Sequence, residues 1–306
     1  MIRLFAVVLA LNVPLAAAEP LKIAIVSRTV FYVPLWIARE QGHVDGAIEV
    51  YDNAEKINED LRSGKVEIAV GTPESVMIDA YKGGSLRIIG GNAERLPHFI
   101  IARPSIRQWK DMRRARVGVL SLNEGTTYLV HRMMSANGFQ PGDYEVLAVG
   151  GAPTRWRLLQ EGTIDVGLQP FPLSYQAEAA GFTNFGPITQ YVQNYLFTTV
   201  NADTRWAERN AGRVRDFLRG LRRGVETMNK DRATAVATAA RELKTTPQFA
   251  ERALEDTAKL GILSQDLTIS EPALKGTFDT LLGVGLLPAD ARFEPSRMVD
   301  SRYLER

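Results

Sequence analysis

The chain has no cysteine and only three histidines, His43, His98 and His131, among its 306 residues. The absence of cysteine excludes disulfides, a thiol nucleophile and any metal site that needs a thiolate. Three histidines that stand far apart in the sequence argue against a zinc site. We therefore expect no cofactor, no metal and no catalytic cysteine.

An excess of one sign of charge is also lacking. Lys and Arg together number 37 and Asp and Glu 35, for a formal net charge of +2. The small basic clusters at residues 113–116 and 219–223 are interpreted as solvated helix or loop faces, because no basic stripe is interleaved with aromatic residues. We expect no binding to nucleic acid.

Long apolar runs are missing apart from the first residues. A positive start at residues 1–3 precedes an apolar run at 4–15 and Ala16-Ala17-Ala18. These are the parts of a secretory signal peptide, and the run is shorter than the roughly 20 residues that span a bilayer. We predict cleavage after Ala18 and a freely diffusing periplasmic protein, since no cysteine is present for lipid attachment. The alternative is a buried N-terminal helix or a membrane anchor, which Pro14 disfavours.

Short β-branched runs alternate with helical segments along the first third of the chain. Residues 22–26, 47–51 and 66–70 are predicted strands, and residues 31–41 and 73–82 are predicted helices. Strands that alternate with helices indicate parallel βαβ units. The fold class predicted here is therefore α/β.

Two segments of this first part are repeated later in the same order. Residues 22–27 (KIAIVS) are echoed by 116–121 (RVGVLS), and residues 61–70 (LRSGKVEIAV) are echoed by 159–168 (LQEGTIDVGL). Glycine suits a helix C-terminus, so a single helix-Gly-strand echo is weak. Two echoes at nearly the same spacing predict two lobes of similar construction.

The predicted lobes are joined by two crossing segments, near residues 98–104 and 195–203. After the second crossing, apolar residues recur at helical spacing to the end of the chain. We predict that these C-terminal helices pack on the first lobe. The predicted organisation is a signal peptide at 1–18, lobe 1 at 19–103, lobe 2 at 104–197, and a return to lobe 1 at 198–306.

This order of elements resembles the type II periplasmic binding proteins, and within them the nitrate/sulfonate/taurine and thiamine-precursor (NMT1/THI5-like) group. The family's aromatic-proline helix start followed by A-x-E-x-G is similar to residues 31–42 (FYVPLWIAREQG), and its L-x-x-G-x-[VI]-D-[IV]-[AG] is similar to 61–69 and 159–167. The segment between Gly42 and Ala47 is shorter than is usual in that family. The resemblance covers nearly the whole mature chain.

The resemblance implies a monomeric solute-binding protein that delivers a small organic molecule, such as a sulfonate, a carboxylate or a pyrimidine, to an ABC permease and its ATPase. The alternatives are an enzyme on the same fold, either a dehydratase or a pyrimidine synthase, and a sensory partner that presents its ligand to a receptor. The synthases use a cysteine-rich motif that this chain lacks, and the dehydratases are cytosolic. We therefore expect no enzyme activity.

Ligands of open α/β sheets bind outside the carboxyl ends of the strands. In this chain those ends are polar loops that lead into helices, whose free N–H groups and hydroxyls can hold a ligand. The same hydroxyls could serve only as helix caps. The residues predicted to contact the ligand are Ser27, Thr29, Phe31, Tyr32, Thr72, Ser75, Ser121, Asn123, Thr126, Thr127 and Gln169.

Four further residues near these loops allow more than one interpretation. Trp36 lies within a predicted helix and is expected in the core, and His98 is expected to be a hydrogen-bonded hinge residue. Glu74 and Glu124 begin two predicted pocket helices, where they disfavour a strongly anionic ligand and could receive an amino group. They could equally face solvent and offset the helix dipoles.

Overall fold

The computed structural model of the protein describes residues 19–304, except Asp52, Asn123 and Gln193. The predicted signal peptide at 1–18 and the candidate contact Asn123 lie outside the described residues. Two five-stranded sheets, each flanked by helices, form the framework. We call the part built on each sheet the first lobe and the second lobe. The predicted two-lobed α/β fold is confirmed.

The first sheet has the order β2-β1-β3-β10-β4. Its strands are β1 (Leu21–Ile25), β2 (Gly46–Val50), β3 (Ile68–Gly71), β4 (Leu86–Ala93) and β10 (Thr198–Asp203). β1, β2 and β3 are parallel, whereas β10 runs antiparallel between β3 and β4. Four of the five residues of β1 are buried, which matches its nearly continuous apolar sequence.

The second sheet repeats this arrangement in the order β7-β6-β8-β5-β9. Its strands are β5 (His98–Ala102), β6 (Arg116–Val119), β7 (Glu145–Ala148), β8 (Val166–Pro170) and β9 (Thr183–Pro187). β5 runs antiparallel between β8 and β9, as β10 does in the first sheet. β10 and β5, each fourth in the order of its sheet, are thus the first strands that form after the chain has crossed from the other lobe.

Hydrogen bonding therefore places the two crossing segments just before these strands, at residues 94–97 and 188–197. The predicted organisation places residues 98–102 in lobe 1. This is wrong, because these residues form β5, which pairs along its whole length with β8 of the second sheet. The pairing of a strand with a distant sheet depends on long-range contacts, which a local sequence pattern does not contain.

Twelve helices are found among the described residues. They are α1 (Val33–Glu40), α2 (Ala54–Ser63), α3 (Glu74–Tyr81), α4 (Gly125–Ala136), α5 (Ala152–Glu161), α6 (Leu173–Ala179), α7 (Thr204–Arg209), α8 (Ala211–Lys230), α9 (Arg232–Glu242), α10 (Pro247–Lys259), α11 (Glu271–Gly283) and α12 (Pro295–Met298). In the part of the chain that is described, none of these helices is long and apolar enough to cross a membrane.

The two repeated segments end their helices in the same way. α2 ends at Gly64 with φ 76° and α5 ends at Gly162 with φ 74°, both in the left-handed region that glycine adopts without strain. Each glycine is followed by a buried strand, β3 or β8. The repeated L-x-x-G pattern is therefore a repeated helix ending, and it gives the two lobes the same local geometry.

The C-terminal helices pack mainly on the first lobe, as predicted. α8 crosses α1 so closely that a Cβ on Gly224 would lie 2.0 Å from the carbonyl oxygen of Pro34, and one on Gly220 would lie 2.2 Å from that of His43. α10 also reaches the second lobe, where Asp256 accepts a hydrogen bond from the hydroxyl of Tyr175. The two lobes are thus in contact on the side of the C-terminal helices as well as at their facing sheet ends.

Candidate ligand-binding site

A small cavity lies between the lobes, at the carboxyl ends of strands β1, β3 and β6. We call it the cleft cavity. It is lined by Val26, Ser27, Thr29, Phe31, Thr72, His98, Leu120, Glu124, Thr126, Gly151, Ala152, Arg155 and Phe197. Its volume of about 30 Å³ is room for one or two water molecules, so the lobes are closed on each other and a larger solute enters only when they part.

The first lobe contributes hydroxyl groups from two strand ends. Ser27 and Thr29 follow β1, and Thr72 follows β3 immediately before α3. All three are buried, and the Oγ1 atom of Thr29 has no hydrogen-bond partner. A buried hydroxyl without a partner costs free energy, on the order of 1–3 kcal/mol, which a ligand group could recover.

Three rings form one wall of the cleft cavity. The Phe197 ring meets Phe31 edge-on at a centroid distance of 5.0 Å and meets His98 edge-on at 4.8 Å. Phe31 belongs to the first lobe, His98 begins β5 of the second, and Phe197 lies in the second crossing segment. This wall therefore contains residues that must move relative to one another when the lobes open.

His98 is not the hydrogen-bonded hinge residue that was expected. Its side chain is buried and lines the cleft cavity, but its Nδ1 atom has no hydrogen-bond partner. Burial, together with the positive charge of Arg155, holds the pKa of His98 well below its ordinary value, so the ring is neutral at neutral pH. A neutral imidazole can donate to or accept from a ligand.

Arg155 is the buried cation of the site. Its guanidinium donates to the carbonyl oxygen of Leu168 from Nε at 3.2 Å and from Nη2 at 3.0 Å, and to that of Gly150 from Nη1 at 2.8 Å. Burial lowers the pKa of Arg155 to about 10, so it stays charged at neutral pH. The side chain ties the start of α5 to the end of β8.

Two buried carboxyl groups meet where the lobes touch. Glu74 begins α3 of the first lobe, and Glu124 is the N-cap residue of α4 in the second. Burial raises the pKa of Glu74 to about 7, and burial together with the charge of Glu74 raises that of Glu124 to about 8. The alternative that these carboxyls face solvent is wrong, because both side chains are buried.

Each carboxyl group has a hydroxyl donor. Tyr195 donates to Oε1 of Glu74 at 2.6 Å, and the hydroxyl of Thr126 donates to Oε1 of Glu124. The second oxygen of Glu74, Oε2, is buried without a partner. The site thus contains one cation, Arg155, and two carboxyl groups. When both carboxyl groups are ionised, Arg155 balances only one of the two negative charges.

Gly125 allows the two lobes to approach this closely. A Cβ at this position would lie 1.3 Å from the hydroxyl oxygen of Tyr195 and 2.6 Å from Oε1 of Glu74. Only a residue without a side chain fits there, so the N-terminus of α4 can come up against the first lobe. A neutral or negatively charged group is well placed at such a helix start.

The predicted contact residues fall into two groups. Ser27, Thr29, Phe31, Thr72 and Thr126 line the cleft cavity, whereas Tyr32, Ser75, Ser121, Thr127 and Gln169 do not. Tyr32 is fully buried in the first lobe, with its ring 6.2 Å from that of Trp36, which is itself in the core as expected. Ser75 is half-buried on α3.

The three predicted residues of the second lobe that lie outside the cavity make other bonds. Ser121 donates to Oε1 of Glu55 at 2.5 Å, which links the two lobes. Thr127 donates to the carbonyl oxygen of Ser121 at 2.5 Å, which holds the first turn of α4 to the end of the preceding loop. Gln169 joins β8 to α5. Its amide nitrogen donates to the Ala152 carbonyl oxygen and its amide oxygen accepts from the Trp156 backbone N–H, both at 3.2 Å.

Sequence reasoning did not single out Arg155 or Phe197 as site residues. Arg155 lies in the first turn of α5, and nothing in the sequence distinguishes it from a solvent-exposed helix arginine. Phe197 lies within the crossing segment predicted near residues 195–203, from which no residue was predicted to line the cavity. Their burial results from contacts between distant elements.

The residues that line the cavity offer hydrogen-bonding groups and aromatic rings. Among residues 19–304, apart from the three undescribed positions, no cluster of three or more His, Asp or Glu side chains is arranged to hold a metal ion. His98 lies in the cavity wall, but no hydroxyl is bonded to it as a nucleophile would be to its base.

Comparison with known proteins identifies a family and a fold. The model of the NMT1/THI5-like family matches residues 36–235, and no curated protein matches the chain. The ligand-binding component of an ABC-type import system from Staphylococcus aureus, solved with zinc bound, has 13% identity and a TM-score of 0.76 over 94% of this chain and 98% of its own.

Two further structures of the same fold have different roles. The alkanesulfonate-binding protein SsuA from Xanthomonas axonopodis pv. citri, bound to MOPS, has 16% identity and a TM-score of 0.70 over 89% of this chain and 96% of its own. The desulfurization enzyme DSZB has 13% identity and a TM-score of 0.64 over 93% of this chain and 97% of its own. At such identities the likeness shows the fold alone.

Proposed function

The chain belongs to the NMT1/THI5-like family, and from this premise we propose that it is a periplasmic solute-binding protein that captures a small organic molecule between its lobes and delivers it to an ABC permease and its ATPase. The observation that carries the proposal is the cleft cavity, to which both lobes contribute buried polar side chains. The solved import component from Staphylococcus aureus supports it, because it shares this fold over nearly its whole length.

Capture requires that the ligand bind the closed lobes better than the open ones. Only contacts with both lobes at once provide this difference in affinity. We propose Ser27, Thr29, Phe31 and Thr72 of the first lobe and Thr126 of the second as direct contacts, to which His98, Glu124 and Arg155 are added. Of the remaining predicted residues, Tyr32, Ser75, Ser121, Thr127 and Gln169 are proposed to support these contacts from behind. Asn123, which lies outside the described residues, stays a predicted contact.

Binding without turnover by a monomer is the second part of the proposal. The fold of the desulfurization enzyme DSZB shows that this architecture can also carry chemistry. The side chains that line the cavity include no cysteine, and no hydroxyl there is bonded to the imidazole of His98. A solute held only by hydrogen bonds and ring contacts leaves the site unchanged.

The proposal is tested with protein isolated from an exporting cell. We expect mass spectrometry of the released small molecules to find one solute enriched over its level in the extract, and we expect that solute to be returned unchanged after prolonged incubation. N-terminal sequencing of the same sample should begin at Glu19. A converted product would favour an enzyme, and a protein that enriches no solute and starts at Met1 would contradict the proposal.

A further inference from the structure

The buried charges of the cleft cavity indicate which chemical class of solute it takes. We propose that the solute carries a protonated amino group, which the Glu124 carboxylate receives, and that a solute whose only charge is a sulfonate is rejected. The inference rests on the proposed function and names its ligand class. The proposed ligand therefore differs in charge from the alkanesulfonate that SsuA, a protein of the same fold, binds.

The first step of the argument is the charge balance. Glu74 and Glu124 are 1% and 4% exposed, and Arg155 is 6% exposed. If both carboxyls are ionised, one negative charge remains uncompensated among these three groups. A buried charge without a partner is costly, so the closed site must take up either a proton or a cation.

The second step is the geometry around Glu124. Its carboxylate lines the cavity, and its Oε1 accepts from Thr126 beside it. Arg155 is occupied by the carbonyl oxygens of Leu168 and Gly150, to which it donates three hydrogen bonds. Glu124 therefore presents a carboxyl group to the cavity, whereas three of the five N–H donors of the guanidinium are turned to the backbone.

The third step is independent of the carboxyl groups. The Oγ1 atom of Thr29 and the Nδ1 atom of His98, both in the cavity lining and both at most 4% exposed, have no hydrogen-bond partner. Both atoms can accept a hydrogen bond, His98 in one of its two neutral tautomers. An ammonium group has three N–H donors and no acceptor, which matches a cavity lined by a carboxylate and by two such acceptors.

A sulfonate fits the same surroundings badly. It has acceptors only, and it would bring a further negative charge next to Glu124 and Glu74. Like charges in a low-dielectric site repel strongly, and protonation of both carboxyls would be required to admit it. The groups whose charges act on Glu124 are Glu74, Glu55 and Arg155, and two of the three are acidic.

The test uses four probes with the same short carbon chain: 1-propylamine, β-alanine, propanesulfonate and 1-propanol. Binding to the full mature chain is measured by calorimetry at a pH of about 8, where the Glu124 carboxyl is about half ionised. We expect the two ammonium probes to bind about tenfold more tightly than propanesulfonate or propanol, as a charge-assisted hydrogen bond would give.

Two variants complete the experiment. Glu124→Gln should remove the preference for the ammonium probes, and Glu145→Gln, an exposed carboxyl on β7 of the same lobe, should leave it intact. Tighter binding of propanesulfonate, no binding of any ammonium probe, or an unchanged preference in Glu124→Gln would each overturn the inference. The proposed function would survive any of these results if the protein still enriches one solute from the cell extract and returns it unchanged.

Discussion

Tyr195 donates its hydroxyl hydrogen to Oε1 of Glu74 at 2.6 Å, although the two residues are 121 positions apart in the chain. Tyr195 belongs to the second crossing segment, and Glu74 begins α3 in the first lobe. Both side chains are buried. The bond therefore fixes the crossing segment against the helix start that touches the other lobe through Gly125.

The first prediction concerns this bond. Tyr195→Phe removes a donor from a buried carboxyl group, which should lower the free energy of unfolding by about 1–3 kcal/mol at neutral pH. Chemical denaturation of the purified protein measures the loss. Tyr128→Phe, at a half-buried tyrosine of α4 outside the cavity, is the control and should change stability by less. Equal stability of the Tyr195→Phe protein and the wild type would show that the bond contributes nothing.

The second prediction separates a hydroxyl that only stabilises the fold from one that contacts the ligand. Thr127 donates to the Ser121 carbonyl, whereas Thr72 lines the cleft cavity. Thr127→Ala should cost about 1 kcal/mol of stability and leave solute affinity within about threefold, and Thr72→Ala should weaken affinity by about fivefold. Calorimetry and thermal denaturation on both variants decide the matter. The opposite pattern would make Thr127 the ligand contact.

The third prediction concerns pH. Folding and closure raise the pKa of Glu74 to about 7 and that of Glu124 to about 8, from an ordinary value of 4.5. A carboxyl group with a raised folded-state pKa stabilises the fold fully below its unfolded pKa, and this contribution is lost as the pH rises through the folded pKa. The solute-free protein should therefore lose stability between pH 4.5 and 8.

The variant Glu124→Gln isolates this effect, because an amide does not titrate in this range. Its melting temperature should fall less steeply than that of the wild type over the same interval. Thermal scans of both proteins at matched ionic strength supply the comparison. If the two profiles run parallel, the carboxyl pair does not titrate as the buried geometry requires.

The elements of the fold could be predicted well from local pattern. β1 lies within one residue of the run predicted as a strand, because a short apolar, β-branched sequence bounded by polar residues is typical of a buried strand. The L-x-x-G echoes predicted the matching helix ends at Gly64 and Gly162. The antiparallel insertion of β5 and β10 could not be predicted, since it depends on which distant strands lie beside them.

The site was predicted less completely, for the same reason. The polar loops at the strand ends were found, and Ser27, Thr29 and Thr72 do line the cavity. Whether a hydroxyl faces the cavity or caps its own helix depends on the direction of each helix start, which a sequence does not state. Arg155 bonds to the Leu168 carbonyl 13 residues away, and His98 meets the ring of Phe197 from a distant segment, contacts that a local pattern does not contain.

The fourth prediction concerns the approach of the lobes at Gly125. In Gly125→Ala the added Cβ would overlap the Tyr195 hydroxyl oxygen at 1.3 Å, so the closed arrangement should be blocked while each lobe still folds. Solution scattering should give a larger radius of gyration, and solute binding should be lost. The control is Gly212→Ala on α8, where an added Cβ has no neighbour within 4 Å. A compact Gly125→Ala protein that binds normally would contradict this account of closure.

Closure of the two lobes on a solute is the central claim, and an interlobe distance measures it most directly. The chain has no cysteine, so Glu59→Cys on α2 and Lys110→Cys in the second lobe, both exposed, can carry spin labels without any background. Double electron–electron resonance should give a long or broad distance distribution for the solute-free protein and a single shorter distance once the enriched solute is added. The same distribution with and without the solute would contradict the claim that this cleft closes on its ligand.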